Sequence, residues 1–201
     1  MEVKLDKRYP LDVDPERAWT ILSDLEAVVR CMPGAELTER VSDTAYKGAV
    51  RVKVGPAVAQ FGGMVDVVEK DTAHRAMVLR GKGADKGGSS ASMDLAAAIE
   101  ADPANPAHAV LHGDSTVIVN GKFAQFGGRM MVSVSEMLLA QFVDNFRQAA
   151  LALPAPPGAA TPADAAQPPA AAPKVAREIN GLAIVWMLLR NWWLGLFGKH
   201  T

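Results

Sequence analysis

Residues 46–54 read YKGAVRVKV. Val50, Val52 and Val54 fall on one side of an extended chain, and Arg51 and Lys53 on the other. That alternation is the period of a β-strand with one buried face and one wet face. Gly55-Pro56 supplies a turn, and residues 57–68 read as a second strand. Further strands are expected at 75–80, 90–100 and 107–119. Lys70-Asp71, the glycine-rich run 81–88 and the stretch DPANP at 102–106 separate them. These connections are too short for helical crossovers, so the strands should pair as consecutive antiparallel hairpins.

Working outward from there, residues 2–9 also alternate, with Val3, Leu5 and Lys7 on one side and Lys4, Asp6 and Arg8 on the other. Asp14-Pro15-Glu16 is a helix start: a capping side chain, a proline at the first helical position and an acid in the first turn. Ala18, Ile21 and Leu22 follow at helical spacing. Ser23 or Asp24 caps a second short helix, which Met32-Pro33-Gly34 ends. Beyond Asn120-Gly121 the period becomes helical up to about residue 153. Met131, Val134, Leu138, Phe142, Phe146 and Ala149 make an apolar stripe, and Arg129, Ser133, Glu136, Asp144 and Arg147 a polar one. The fold class is therefore α+β: a curved antiparallel sheet wrapped around a long C-terminal helix, with two short helices after the first strand.

Composition divides the rest of the chain. Seven of the 13 prolines of this 201-residue chain lie between residues 154 and 173. Residues 154–178, PAPPGAATPADAAQPPAAAPKVARE, read as a disordered linker, because proline blocks helix and sheet and alanine alone supplies no core. Residues 179–201, INGLAIVWMLLRNWWLGLFGKHT, carry three of the four tryptophans. The expected organisation is a domain at 1–153, a linker at 154–178 and a hydrophobic tail at 179–201. The formal net charge of −1 gives no basic field to hold nucleic acid. The charged N-terminus lacks a signal-peptide core, and the single cysteine, Cys31, fits a reducing compartment.

Several local motifs, in this order, resemble one family. They are Cys31-Met32-Pro33-Gly34 after the second short helix, and Tyr46-Lys47-Gly48 leading into Val50–Pro56. Phe61-Gly62-Gly63, Asn120-Gly121-Lys122-Phe123 and Gly127-Gly128-Arg129, the last opening the long helix, complete the set. Across residues 1–150 the chain resembles the carbon monoxide dehydrogenase G-subunit family, within the Bet v 1-like or START-like helix-grip superfamily. The resemblance implies a helix-grip domain with an apolar cavity between sheet and long helix. It also implies an accessory role beside a molybdenum-containing CO dehydrogenase that passes electrons to respiratory quinone. Members are associated with attaching that enzyme to the cytoplasmic membrane.

The residues themselves leave two readings of the inner face open. Val52, Phe61, Met77, Met93 and Val117 from the strands should meet Phe126, Met130 and Leu138. They make either a filled core or the wall of a ligand cavity. Methionines and nearby small residues such as Gly48, Gly63, Ala91 and Gly127 leave room for a flexible apolar guest. The resemblance tips the choice to a cavity holding a hydrophobic small molecule, a menaquinone or ubiquinone being the candidate. No charged side chain is expected inside, because an unpaired one costs several kcal/mol. No tightly bound cofactor, metal site or catalytic constellation is expected. Cys31 reads as buried and inert. The histidines at 74, 108, 112 and 200 lack ligand spacing. The run 81–88 is a hairpin loop rather than a phosphate loop, lacking the Gly-Lys-Ser/Thr ending.

The tail is the membrane candidate. Residues 179–197 would span about 28 Å as a helix, and Arg190 interrupts them. Trp186, Trp192, Trp193 and Phe197 suit the headgroup level, so an interfacial or shallowly inserted segment is expected at the inner face of the cytoplasmic membrane. The function expected is a non-enzymatic accessory protein that binds a quinone and recruits a CO dehydrogenase-type molybdenum hydroxylase to the membrane. The alternative is a pure membrane tether with a filled core.

Overall fold

The computed structural model describes residues 1–55 and 57–154. The linker after Pro154 and the tail with Trp186, Trp192, Trp193 and Phe197 lie outside the described residues. The chain runs β1 (Glu2–Leu11), α1 (Pro15–Leu22), α2 (Leu25–Cys31), β2 (Ala35–Arg40), β3 (Ala45–Val54), β4 (Ala57–Asp71), β5 (Ala76–Asp85), β6 (Ser90–Ala101) and β7 (Ala109–Asn120). A short 3-10 helix (Lys122–Phe126) and the long α3 (Gly128–Ala152) close it.

All seven strands join one antiparallel sheet, ordered β1-β7-β6-β5-β4-β3-β2. The hairpins β2 to β7 follow the chain, and β1 returns to pair with β7, Val3 opposite Val117. This is the expected sheet wrapped on a long C-terminal helix. Both short helices start on the expected caps: Asp14 accepts from the amides of Glu16 and Arg17, at 2.9 and 3.2 Å. Asp24, not Ser23, does the same for Glu26 and Ala27.

Three differences from the sequence pattern have physical causes. β2 has no counterpart in that pattern, because AELTER offers only Leu37 as an inward anchor; it is an edge strand held by β3. The run 81–88 is not all loop. Residues 81–85 complete β5, with Gly81 and Gly83 facing inward and Lys82 and Ala84 outward. The helical stretch beyond Asn120-Gly121 is two pieces, a 3-10 turn and then α3, which Gly127-Gly128-Arg129 opens; Gly127 divides them at φ 80° and ψ 154°. Side-chain-bearing residues essentially never adopt that backbone region.

Glycines meet across adjacent strands. Gly48 pairs with Gly63, Gly63 with Gly83, and Gly83 with Ala91. A Cβ on Gly63 would fall 2.0 Å from the Lys82 carbonyl oxygen. The backbones of β4 and β5 therefore approach more closely at this row than any side chain permits. The inner face there presents nothing larger than a methyl across four strands. The main core lies at the other end. Phe142, Val143, Phe146 and Ala150 of α3 pack with Trp19, Ile21 and Leu22 of α1 and with Ile99 and Leu111 of the sheet, all buried.

Candidate ligand cleft

Strand register decides which side chains face α3. One inward row reads Val3, Val117, Met93, Gly81, Val65 and Tyr46 across six strands. The next carries Val119, Ala91, Gly83, Gly63 and Gly48. Beyond it lie Asp85, Phe61 and Val50. The apolar stripe of α3 faces these rows, and its two halves differ. Phe142, Val143, Phe146 and Ala150 are buried, whereas Met130, Met131, Val134 and Leu138 are only half-buried. The inward Val65, Val67, Met93 and Val117 are likewise half-buried. Sheet and helix close on each other at the C-terminal half of α3 and pack less completely at its N-terminal half.

The eight residues singled out from sequence do not form one continuous wall. Val52, Phe61, Val117, Phe126 and Met130 share a cluster around Ala59, Val119 and Phe123. Met77 belongs elsewhere: it is 1% exposed and packs with Leu25, Tyr46 and Leu79 beneath α2. Its register is inward as expected, but α2 covers it. Met93 and Leu138 remain half-buried and join none of the buried clusters.

Phe123, which sequence alone marks only as the end of a motif, is the centre of this end. It is 2% exposed, with the Phe61 ring tilted against it at 5.7 Å and the Phe126 ring stacked at 6.0 Å. An open cleft of about 520 Å³ lies beside these rings, lined by Ala57, Val58, Lys122, Phe123, Gln125 and Phe126. A second open cleft, of about 460 Å³, runs between α2 and β2 and includes Glu26, Arg30, Leu37 and Tyr46.

The inner face is not free of charge. Asp85 has inward register beside Phe61, and its side chain is 10% exposed. Burial is tolerated because the carboxylate is paired. Oδ1 accepts from the Gly87 amide and lies 3.3 Å from the Lys122 ammonium, which in turn sits 5.1 Å from the Phe123 ring centroid. Reading 81–88 as a loop hides this, since only a strand extended to residue 85 gives Asp85 the parity of Leu79. At the opposite edge Lys7 reaches Glu136 of α3 at 3.0 Å, and this carboxylate holds the Lys7 ammonium above its usual pKa. Burial pushes the Cys31 thiol up, away from the reactive thiolate. His112 lies on the outer face between Asp6 and Glu100, at 3.0 and 3.2 Å. Among the described residues no helix is long and apolar enough to cross a membrane, and no group of three or more potential metal ligands converges.

Comparison with known proteins agrees with this architecture. A crystal structure of a conserved protein from Geobacillus kaustophilus matches with a TM-score of 0.66 and 18% identity, over 74% of this chain and 95% of that one. The Zhui aromatase/cyclase from a Streptomyces species matches with a TM-score of 0.53 and 12% identity, over 75% and 94%. A Thermus thermophilus protein matches with a TM-score of 0.51 and 11% identity, over 76% and 98%. At such identities the likeness concerns the fold alone. No curated protein matches the sequence. The model of the carbon monoxide dehydrogenase G-subunit (CoxG) family matches residues 10–151, from the end of β1 through α3, and the chain belongs to that family.

Proposed function

We propose that this chain is a non-enzymatic accessory protein that binds a respiratory quinone and brings a CO dehydrogenase-type molybdenum enzyme to the inner face of the cytoplasmic membrane. In this reading residues 1–153 carry the ligand, 154–178 are the tether and 179–201 attach to the bilayer through Trp186, Trp192, Trp193 and Phe197. The observation that carries the ligand role is the contrast along α3. Met130, Met131, Val134 and Leu138 stay half-buried, whereas Phe142, Val143, Phe146 and Ala150 are buried. Family membership supplies the enzyme, and the apolar walls favour a guest that is mostly hydrocarbon. Such walls replace lipid around an isoprenoid tail, whose exposure to water costs about 0.8 kcal/mol per CH₂.

A tether-only reading has one observation in its favour. Val52, Phe61, Val117, Phe126 and Met130 already pack in one cluster. Thermal unfolding separates the two. A short-chain ubiquinone or menaquinone analogue should raise Tm in proportion to the logarithm of its concentration above Kd. Leu138→Trp, which fills the half-open segment, should abolish the shift while keeping the unmodified protein's Tm within a few degrees. A Tm unmoved by any apolar ring compound favours the tether.

A further inference from the structure

The Asp85–Lys122 pair is not needed to hold a hydrocarbon tail. Hydrocarbon needs only apolar wall, and α3 with the sheet supplies it. At the end of that wall the structure puts an ammonium and a carboxylate 3.3 Å apart beside the Phe61, Phe123 and Phe126 rings. Lys122 and two of those rings line the same open cleft of about 520 Å³. Asp85 is nearly buried, yet Lys122 keeps about half of its side chain accessible, 53% against 10%. An accessible cation over an aromatic ring, fixed by a buried acid, is a placed hydrogen-bond donor.

We propose that this cleft is the head-group subsite of the ligand, selecting a neutral planar ring that carries carbonyl or hydroxyl oxygens. The proposal rests on the ligand-binding reading above and narrows it. Net charge decides the class. Lys122 is already neutralised by Asp85, so the locus offers no surplus positive charge to a carboxylate or phosphate head. A neutral carbonyl or hydroxyl oxygen accepts from the accessible Lys122 ammonium without disturbing the ion pair. The Phe126 ring lines the cleft and offers a face to a planar guest, which a fatty acid would leave unused.

The test uses the full chain and three probes of similar apolar bulk: 2-methyl-1,4-naphthoquinone, 2-methylnaphthalene and decanoate. Affinities are read by calorimetry on the original protein, Lys122→Met and Lys122→Arg. The naphthoquinone should bind about tenfold or more tightly than the hydrocarbon, the size of one charge-assisted hydrogen bond. Decanoate should gain no such advantage. Lys122→Met should erase the difference by weakening the naphthoquinone alone, and Lys122→Arg should restore part of it. Retained hydrocarbon affinity in Lys122→Met shows that the variant is folded. Equal binding of naphthoquinone and hydrocarbon overturns the subsite while leaving a carrier intact. Tightest binding by decanoate, lost in Lys122→Met, overturns the neutral-ring class. Failure of all three probes overturns the carrier reading itself.

Discussion

At the scale of single residues, Phe146 and Leu138 test whether α3 closes fully on the sheet. Both belong to one stripe, eight residues apart, and both are legible from the 3.6-residue period. Burial separates them: Phe146 is 0% exposed and half-buried Leu138 stands outside the buried clusters. Phe146→Ala should cost about 3–5 kcal/mol in chemical denaturation. Leu138→Ala should cost about 1 kcal/mol, the share of a partly buried side chain. Costs of equal size at the two positions would mean that the N-terminal half of α3 is packed as tightly as the rest. The stripe alone does not distinguish these residues, because periodicity reports direction and not what lies opposite. What lies opposite is decided by strand register, which sets glycines rather than side chains on part of the inner face.

At the scale of elements, the joint between the 3-10 helix and α3 orients the Phe123–Phe126 pair over the cleft. Gly127 makes that joint with φ 80° and ψ 154°. A Cβ there meets no neighbour within 4 Å, so any cost of adding one is backbone strain rather than collision. Gly127→Ala should destabilise by about 1–3 kcal/mol in urea unfolding. Gly128→Ala, one residue on and inside the helix, should be neutral or stabilising by about 0.5–1 kcal/mol. A neutral Gly127→Ala would show that the joint relaxes freely. The sequence makes α3, the caps at Asp14 and Asp24 and the alternation of β3 legible, because each is a local pattern. The motif Gly127-Gly128-Arg129 marks where α3 opens, but the helical period does not reveal the backbone break at Gly127 that sets the 3-10 turn apart. The sequence also hides the end of β5, since glycine and lysine at 81–83 look like a loop until neighbouring strands fix their parity. The Asp85–Lys122 pair is lost with it.

At the scale of the whole molecule, the proposed function joins a carrier domain to a membrane-seeking tail. The tail's part is separable. Residues 179–201 fused to a soluble reporter should carry it to lipid vesicles, and Trp192→Ala with Trp193→Ala should weaken that in a flotation assay. A reporter that stays in solution would move the attachment role to a protein partner. The carrier's part is the central claim, and mass spectrometry of lipids extracted from the full-length protein, purified gently from its host membranes, tests it most directly. A quinone-mass species near one per chain, depleted in Leu138→Trp, is the predicted result. Protein free of any extractable lipid, with the two forms indistinguishable, would contradict it.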